Sequence, residues 1–502
     1  MSAPAIPPEP GPQPAPTPPV APMPTLDTLD CLVPYPKYTV MLAWPISPQP
    51  DPPPHLVLAT RDTKREVQEF LSAQAVAWTE IDPINAIQCS ANAQLSASPH
   101  SPGSSDERIT HPCQNAESAT LETEPCLQLD SLQNSIDATA MLESLITSTR
   151  IASRERFRQC CQTLEDQGFL RTPRADVVIL QTSPDSAPLS GAPQNFTSAN
   201  QPTDIAVATV SLGDPCGLSP CESTKTAVTN ALRRLVCSGA TPTHIQFLAA
   251  TPASSMSDSS GSHRENAPGL TDTSFHFKIQ LVTGFDLPHQ PDSFLAFGIV
   301  EESQHMTTPW FKDEGDAIVL IGHPIDWEDP LQGLGGSSWL RVIHQLRTGR
   351  RSLCNLIEAR CLHEAVRSLI YGGAVKSACG CDEGGLAVRV AECCMGPSGE
   401  PNTPRLLGAE LDLTVLSPDN HTPVTTTICK EAWLFGESQN RILITTNPLD
   451  AGKILAQAKI LGVPAVLIGR VGGTQLRIKS SQSEDSWDLH RLYNLRREAA
   501  TR

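Results

Sequence analysis

Aromatic side chains are scarce in this chain, only 5% of 502 residues, while proline is abundant at 46 residues, so much of the length is poorly suited to a packed core. Basic residues are also short: 37 Lys and Arg against 54 Asp and Glu leave a formal net charge of −17. That balance excludes a duplex-binding surface, which needs clustered cations. The densest cationic cluster, "RTGRR" at 347–351, reads as a solvated loop, and no nucleic-acid partner is expected. No apolar run approaches the ~18 residues of a membrane-crossing helix. The first 36 residues hold neither Lys nor Arg nor an apolar h-region, so no secretory signal and a cytoplasmic location are expected. The 16 cysteines therefore read as free thiols rather than a disulfide framework, and the Asn-x-Thr sequons at Asn195 and Asn420 carry no weight.

What is present is organised in blocks. A chain of this length exceeds one hydrophobic core, so two globular units with linkers are expected. Residues 1–54, with "PAIPPEPGPQPAPTPPVAP" and "SPQPDPPP", read as a disordered Pro-rich arm. Residues 55–90 contain a strand–helix–strand pattern in "HLVLATRDTKREVQEFLSAQAVAWTEI", and 91–137 form a polar linker rich in Ser, Thr and Pro. A first α/β unit is expected over 138–327 and a second over 328–480, followed by a charged tail at 481–502. In the first unit, "CESTKTAVTNALRRLVCSGATP" puts Ala227, Val228, Ala231, Leu232, Leu235 and Val236 on one helical face, with Gly239 placed to end the helix. "ASSMSDSSGSHRENAPGL" reads as a loop, and strands are expected at "FHFKIQLVT", "SFLAFGIVEE" and "GDAIVLIGHP". In the second unit, helices are predicted near 356–371, 385–395 and 448–461, with strands near 407–416, 441–446 and 464–470.

Candidate chemistry is sparse. "KSACGCDEGGLAVRVAE" places Cys379 and Cys381 around a glycine. Zinc wants a further pair at ligand spacing, and Cys393 and Cys394 are adjacent instead. Dithiol redox chemistry wants Cys-x-x-Cys. The glycines of "GLGGSS", Gly335 and Gly336 among them, suit either a phosphate cradle or a tight inter-domain turn. In "GESQ", Glu437 suits a cation and Ser438 or Gln439 an anionic group; the alternative is a helix-entry turn satisfying backbone donors. Asp313, Glu314 and Asp316 read as a solvated acidic hairpin, and His363 as a helix surface or core residue.

Seven stretches in register carry a resemblance: "LITSTRIASRERF", "ESTKTAVTNALRRLVCSGATP", "MTTPWFKDEGDAIVLIG", "LGGSSWL", "SACGCDEGGLAVRVAE", "WLFGESQNRILI" and "GVPAVLIGRVGG". Their order and wording resemble the second half of phosphoribosylformylglycinamidine synthase, within the superfamily that includes aminoimidazole ribonucleotide synthetase. The resemblance spans roughly 138–480. It implies an α/β (α+β) fold, a synthetase-like N-terminal sheet domain followed by a C-terminal α/β domain, the third stretch closing the former. It further implies an ATP-dependent carbon–nitrogen ligase of purine biosynthesis that forms an amidine, with ATP and Mg²⁺ as cofactors. Its groove forms between two sheet domains, so a homodimer or a separate chain supplying the first half is implied, along with a glutaminase subunit.

The sequence departs from that pattern where the chemistry should lie. The catalytic histidines of the family belong to the first half, and no catalytic residue is assigned here. Leu212 and Cys216 of "LGDPCG" stand where an acid and an Arg are expected, and Phe247 where an Asp is expected. Cys379-Gly380 replaces His-Asp, and Asp382-Glu383 replaces Ser-Asp, while Gly384, Gly385, Leu386 and Ala387 are kept. Substrate or nucleotide contacts are therefore expected from Gly335, Gly336, Gly384, Gly385, Glu437, Ser438 and Gln439, with no metal ligand identified. Two readings stand: a synthase-like half, or a catalytically inactive paralogue acting as a dimerising structural or binding module.

Overall fold

The computed structural model describes residues 38–45, 55–60, 64–73, 76–81, 137–152, 170–171, 177–180, 204–213, 216–251, 260–288, 292–397, 404–416 and 428–501. The remainder of the expected Pro-rich arm and of the polar linker lies outside these residues. Strands β1 (Tyr38–Pro45) and β2 (His55–Thr60), helix α1 (Lys64–Ala73) and strand β3 (Val76–Ile81) come first. After them come helix α2 (Ala138–Ile146) and β4 (Leu170–Arg171), which closes a four-stranded antiparallel sheet of order β3-β1-β2-β4. Residues 38–45, expected in the disordered arm, are thus a central strand. The stretch "YTVMLAWP" carries enough apolar and β-branched side chains to pair, and Met41 is buried with Val57, Val67 and Leu71.

The second sheet has five strands: β5 (Val177–Leu180), β6 (Asp204–Ser211), β7 (Thr241–Thr251), β8 (Gln280–Pro288) and β9 (Ser293–Val300), in the order β5-β6-β9-β7-β8. Helix α3 (Pro220–Cys237) leads into β7; Ala227, Val228, Ala231, Leu232 and Leu235 of its predicted apolar face are buried on this sheet, while Val236 packs with Val319 and Ile321. It starts at Ser219, whose hydroxyl accepts from the Glu222 amide, and stops at Ser238–Gly239. There Ala240 N–H bonds Leu235 O and Gly239 N–H bonds Val236 O, a Schellman closure that Gly239 permits at φ +89°. Helix α4 (Ser260–Phe277) occupies most of the segment expected as a loop and the start of the expected "FHFKIQLVT" strand. The parallel pairing of β7 with β8 requires a crossover, and Gly269 lets α4 approach α3 so closely that a Cβ there would lie 2.4 Å from the Cys221 carbonyl oxygen. Packing imposes a helix on a Ser- and Gly-rich sequence of weak propensity.

The third sheet is built from β10 (Ala317–Ile321), β11 (Ser377–Gly380), β14 (Ala409–Asp412), β15 (Ile442–Thr446), β16 (Ala465–Val471), β17 (Gln475–Lys479) and β18 (Glu484–Asp488), ordered β11-β15-β10-β16-β14-β17-β18. A two-stranded ribbon, β12 (Met395–Pro397) with β13 (Pro404–Leu406), stands apart. Helices α5 (Ser338–Ile343), α6 (Leu356–Tyr371), α7 (Gly385–Cys394), α8 (Lys430–Phe435), α9 (Pro448–Ile460) and α10 (Leu489–Thr501) accompany it. Three expectations are corrected here. Strand β10 does not close the first unit; it pairs with β15 and β16 inside this sheet, so the second unit begins before residue 328. Likewise α2 joins the core of this sheet, with Met141, Leu142 and Leu145 packed among Trp339, Leu386 and Leu492. The charged tail is no tail either. In β18, Asp485 and Trp487 point inward and the alternate residues outward, and Leu489 and Leu492 of α10 are buried. No described helix is long and apolar enough to cross a membrane.

Candidate functional site

Helix α3 is covered on three sides: by the five-stranded sheet, by α4, and by β11 and α6 of the following unit. The contact with β11 and α6 accounts for the burial of Arg233, and α4 for that of Thr224, whose hydroxyl donates to Asn266 Oδ1; both lie off the apolar stripe. The Arg233 guanidinium crosses to the loop after β11 and pairs with Asp382, both side chains nearly inaccessible. Arg234 Nε and Arg389 Nη2 stand 3.6 and 3.7 Å from the same carboxylate. Burial alone would raise the Asp382 carboxyl; Arg233, Arg234 and Arg389 outweigh it and hold it well below the usual carboxylate range.

Gly380 makes this possible. A Cβ at that position would lie 2.6 Å from Arg233 Nε, so the guanidinium rests directly on the glycine backbone. The position read as a lost family acid is therefore occupied by a cation from another element. The flanking cysteines face inward: Cys379 Sγ lies 3.3 Å from Cys393 Sγ, and burial pushes the Cys381 thiol up to about 11. Among the described residues these are free thiols, and no cluster of three His, Cys, Asp or Glu side chains has metal-binding geometry.

Glu437 is the second organising group. Its Oε1 accepts 2.8 Å hydrogen bonds from the Ser338 amide, at the start of α5, and the Gly384 amide, at the start of α7; Oε2 accepts from Arg351 Nη2 at 3.3 Å. An internal carboxylate thus fills two helix entries with their unpaired donors. The expected site residues converge on it. Gly336 packs under Arg351 and Cys216, and Gly335 touches the Arg350 carbonyl, each so tightly that a Cβ would clash. Gly384 and Gly385 adopt φ of +80° and +73°, and Gly385 lies against the backbone of Phe435. Ser438 Oγ accepts from the Asp326 amide, and Gln439 Nε2 donates back to the Glu437 carbonyl. Arg441, fully buried, donates to the carbonyls of Pro324, Gly436 and Ser438 and fixes this turn.

Around this carboxylate lie further arginines. Arg341 Nη2 donates to Ser338 Oγ, Arg351 Nε to the Gly336 carbonyl, and Arg150 pairs with Glu383 beside Gly384. Burial and the nearby Arg150 push Arg341 down from its ordinary value. Sequence reasoning missed Arg150, Arg233, Arg234, Arg341 and Arg389; the adjacent Arg233-Arg234 pair within a helix otherwise well placed to be buried was the available signal. Arg351, read as part of a solvated loop, is instead partly buried against Glu437. Phe247, at the position expected to be Asp, is buried in a stack with Phe294, ring centroids 5.1 Å apart. The acidic hairpin is less solvated than expected, since Asp316 is buried and Lys376 Nζ bridges it to Asp313 at 2.6 and 2.8 Å.

Among the described residues around Asp382 and Glu437, no set of free carboxylates suits Mg²⁺. Asp382 and Glu383 are neutralised by guanidiniums, and Glu437 by Arg351 and two amides, so none offers a free carboxylate pair.

Residues 313–479 match the family described as AIR synthase related protein, C-terminal domain. The chain is 27% identical over 363 residues to the phosphoribosylformylglycinamidine synthase subunit PurL of Alkaliphilus metalliredigens, covering 70% of this chain and 44% of the relative. Against PurL of Anaeromyxobacter sp. (strain K), identity is 33% over 213 residues, 40% of this chain and 26% of that protein. It thus spans less than half the length of these curated relatives. In fold it resembles T. maritima PurL complexed with FGAR, with a TM-score of 0.51 at 18% identity over 72% of this chain and 54% of that one.

Proposed function

Starting from this chain as a PurL-like protein of the AIR synthetase superfamily, we propose that it serves purine biosynthesis as a non-catalytic second half. On this reading it keeps the synthetase shape and supplies one side of a groove completed by another chain, either a second copy or a protein bearing the first half. One observation carries the reading. Where the resemblance expects polar groups for metal and phosphate, Asp382 is buried among Arg233, Arg234 and Arg389. A carboxylate committed to three guanidiniums is unavailable to Mg²⁺, and without the metal a triphosphate lacks the charge partner that phosphoryl transfer requires.

A second reading is favoured by the intact "GESQ" turn and the retained Gly384-Gly385 entry. In it, the chain completes the ATP- and Mg²⁺-dependent conversion of formylglycinamide ribonucleotide to the amidine once a first half and a glutaminase subunit are supplied. The test is ADP release from ATP, Mg²⁺, formylglycinamide ribonucleotide and ammonia, with and without a PurL first half in trans. The proposal expects no release attributable to this chain in either mixture. Mg²⁺-dependent turnover that needs this chain would overturn it in favour of the second reading.

A further inference from the structure

Asp382, Glu383 and Glu437 are each paired with a guanidinium, whereas Arg341 of the same cluster is paired with no described carboxylate. Among the described residues Arg341 makes no ion pair; its hydrogen bond runs to the neutral hydroxyl of Ser338, and the side chain is only partly buried. Two more guanidiniums are brought to the same place through short contact chains. Ser338 N–H and Arg351 Nη2 bind opposite oxygens of Glu437, placing Arg351 across that carboxylate from Arg341. Gly384 N–H binds Glu437 as well, and its neighbour Glu383 holds Arg150. Missing side chains make the room: Arg150 Nη2 would lie 2.7 Å from a Cβ on Gly213, and Arg351 Cγ 2.8 Å from one on Gly336.

We infer that Arg341, flanked by Arg150 and Arg351, anchors an anion site that takes a phosphate-bearing ligand directly, with no divalent cation between. Guanidinium forks match the paired oxygens of phosphate and stay charged where an ammonium would not. Glu383 and Glu437 also face the site, but each already has a guanidinium, so they orient the cations rather than repel the ligand. Burial, with the like charges of Arg150 and Arg351, depresses Arg341, and an anion seated among the three relieves their repulsion. This deepens the proposed function by naming a ligand class, and its test fails separately.

The test is calorimetric titration of the full chain with inorganic pyrophosphate and with ATP, each in EDTA and in Mg²⁺. Binding of pyrophosphate in EDTA, weakened about tenfold or more in Arg341→Gln and less in Arg341→Lys, is expected, since a charge-assisted hydrogen bond is lost. Arg360→Gln, a surface i,i+4 pair elsewhere, should bind as the native chain does. Competition between pyrophosphate and ATP would assign the site to a nucleotide's phosphates; binding of pyrophosphate alone would assign it to a free phosphate anion, and either result supports the inference. Binding only with Mg²⁺, or undiminished binding by Arg341→Gln, overturns it. Should Arg341→Gln not fold, the EDTA titration of the native chain and the Lys variant decide. Metal-dependent turnover would defeat the proposed function while leaving EDTA-resistant pyrophosphate binding intact.

Discussion

Arg233 and Asp382, 149 residues apart, form a buried ion pair that ties helix α3 to the loop leaving β11. Breaking one side of such a pair strands a charge, whereas replacing both by apolar groups of similar size is often tolerated. Asp382→Asn should therefore cost about 3–5 kcal/mol in urea denaturation, because the buried Arg233 loses its counter-charge and Arg234 a neighbouring one. The double variant Arg233→Met/Asp382→Leu should recover part of that loss. A double variant no more stable than Asp382→Asn would show that the pair does not act as a unit.

His363 makes stability depend on pH in one direction. The ring is buried against Phe277, both nitrogens lack a hydrogen-bond partner, and burial, with Arg233 adding to it, lowers the imidazole to about 3. An unfolded histidine takes its proton near 6.5, so between 6.5 and about 3 the unfolded chain binds more protons and the folded state loses stability as pH falls. The slope attributable to this residue is about 1.4 kcal/mol per pH unit. Denaturation of His363→Leu at pH 7, 6 and 5 should show that slope removed; an unchanged slope would locate the titration elsewhere.

Gly385 and Gly373 both have positive φ, +73° and +70°, but only Gly385 is crowded, a Cβ there lying 2.5 Å from the Phe435 carbonyl carbon. Gly373→Ala should cost about 1 kcal/mol from backbone strain alone. Gly385→Ala should cost about 1–3 kcal/mol more, since the added carbon meets backbone that cannot rotate away. Equal melting temperatures for the two variants would mean that the α7 entry can shift.

Glu437→Gln tests whether that carboxylate holds the α5 and α7 entries together. Glutamine keeps one carbonyl acceptor but loses the charge that serves two amides and Arg351, and a loss of about 1–3 kcal/mol in chemical denaturation is expected. A variant as stable as the native protein would leave Glu437 free for a ligand instead.

Local pattern was legible wherever burial had one side. The apolar stripe of α3, the whole of α6 at Leu356–Tyr371 and the strand β9 at Ser293–Val300 follow from periodicity and caps that act over a few residues. The sequence singled out Gly336, Gly384, Gly385 and Glu437 one motif at a time as ligand contacts; that they meet, with Glu437 binding the protein's own amides, came only from the structure. Helix α4 was misread because its Ser, Gly and Pro content speaks only for the isolated segment, while the parallel β7–β8 crossover sets its conformation.

By itself, then, the sequence determined the α/β character, the helical faces and the absence of polar side chains at Leu212, Phe247 and Gly380, where the resemblance expects them. Only the tertiary structure decided what replaced them. It placed β10 and α2 with the later sheet, laid Arg233 on Gly380 and gathered Arg150, Arg341 and Arg351 about Glu437. The reason is physical: hydrophobic periodicity records which side of an element is dry, whereas the partner of a buried charge is set by distances between elements far apart in the chain.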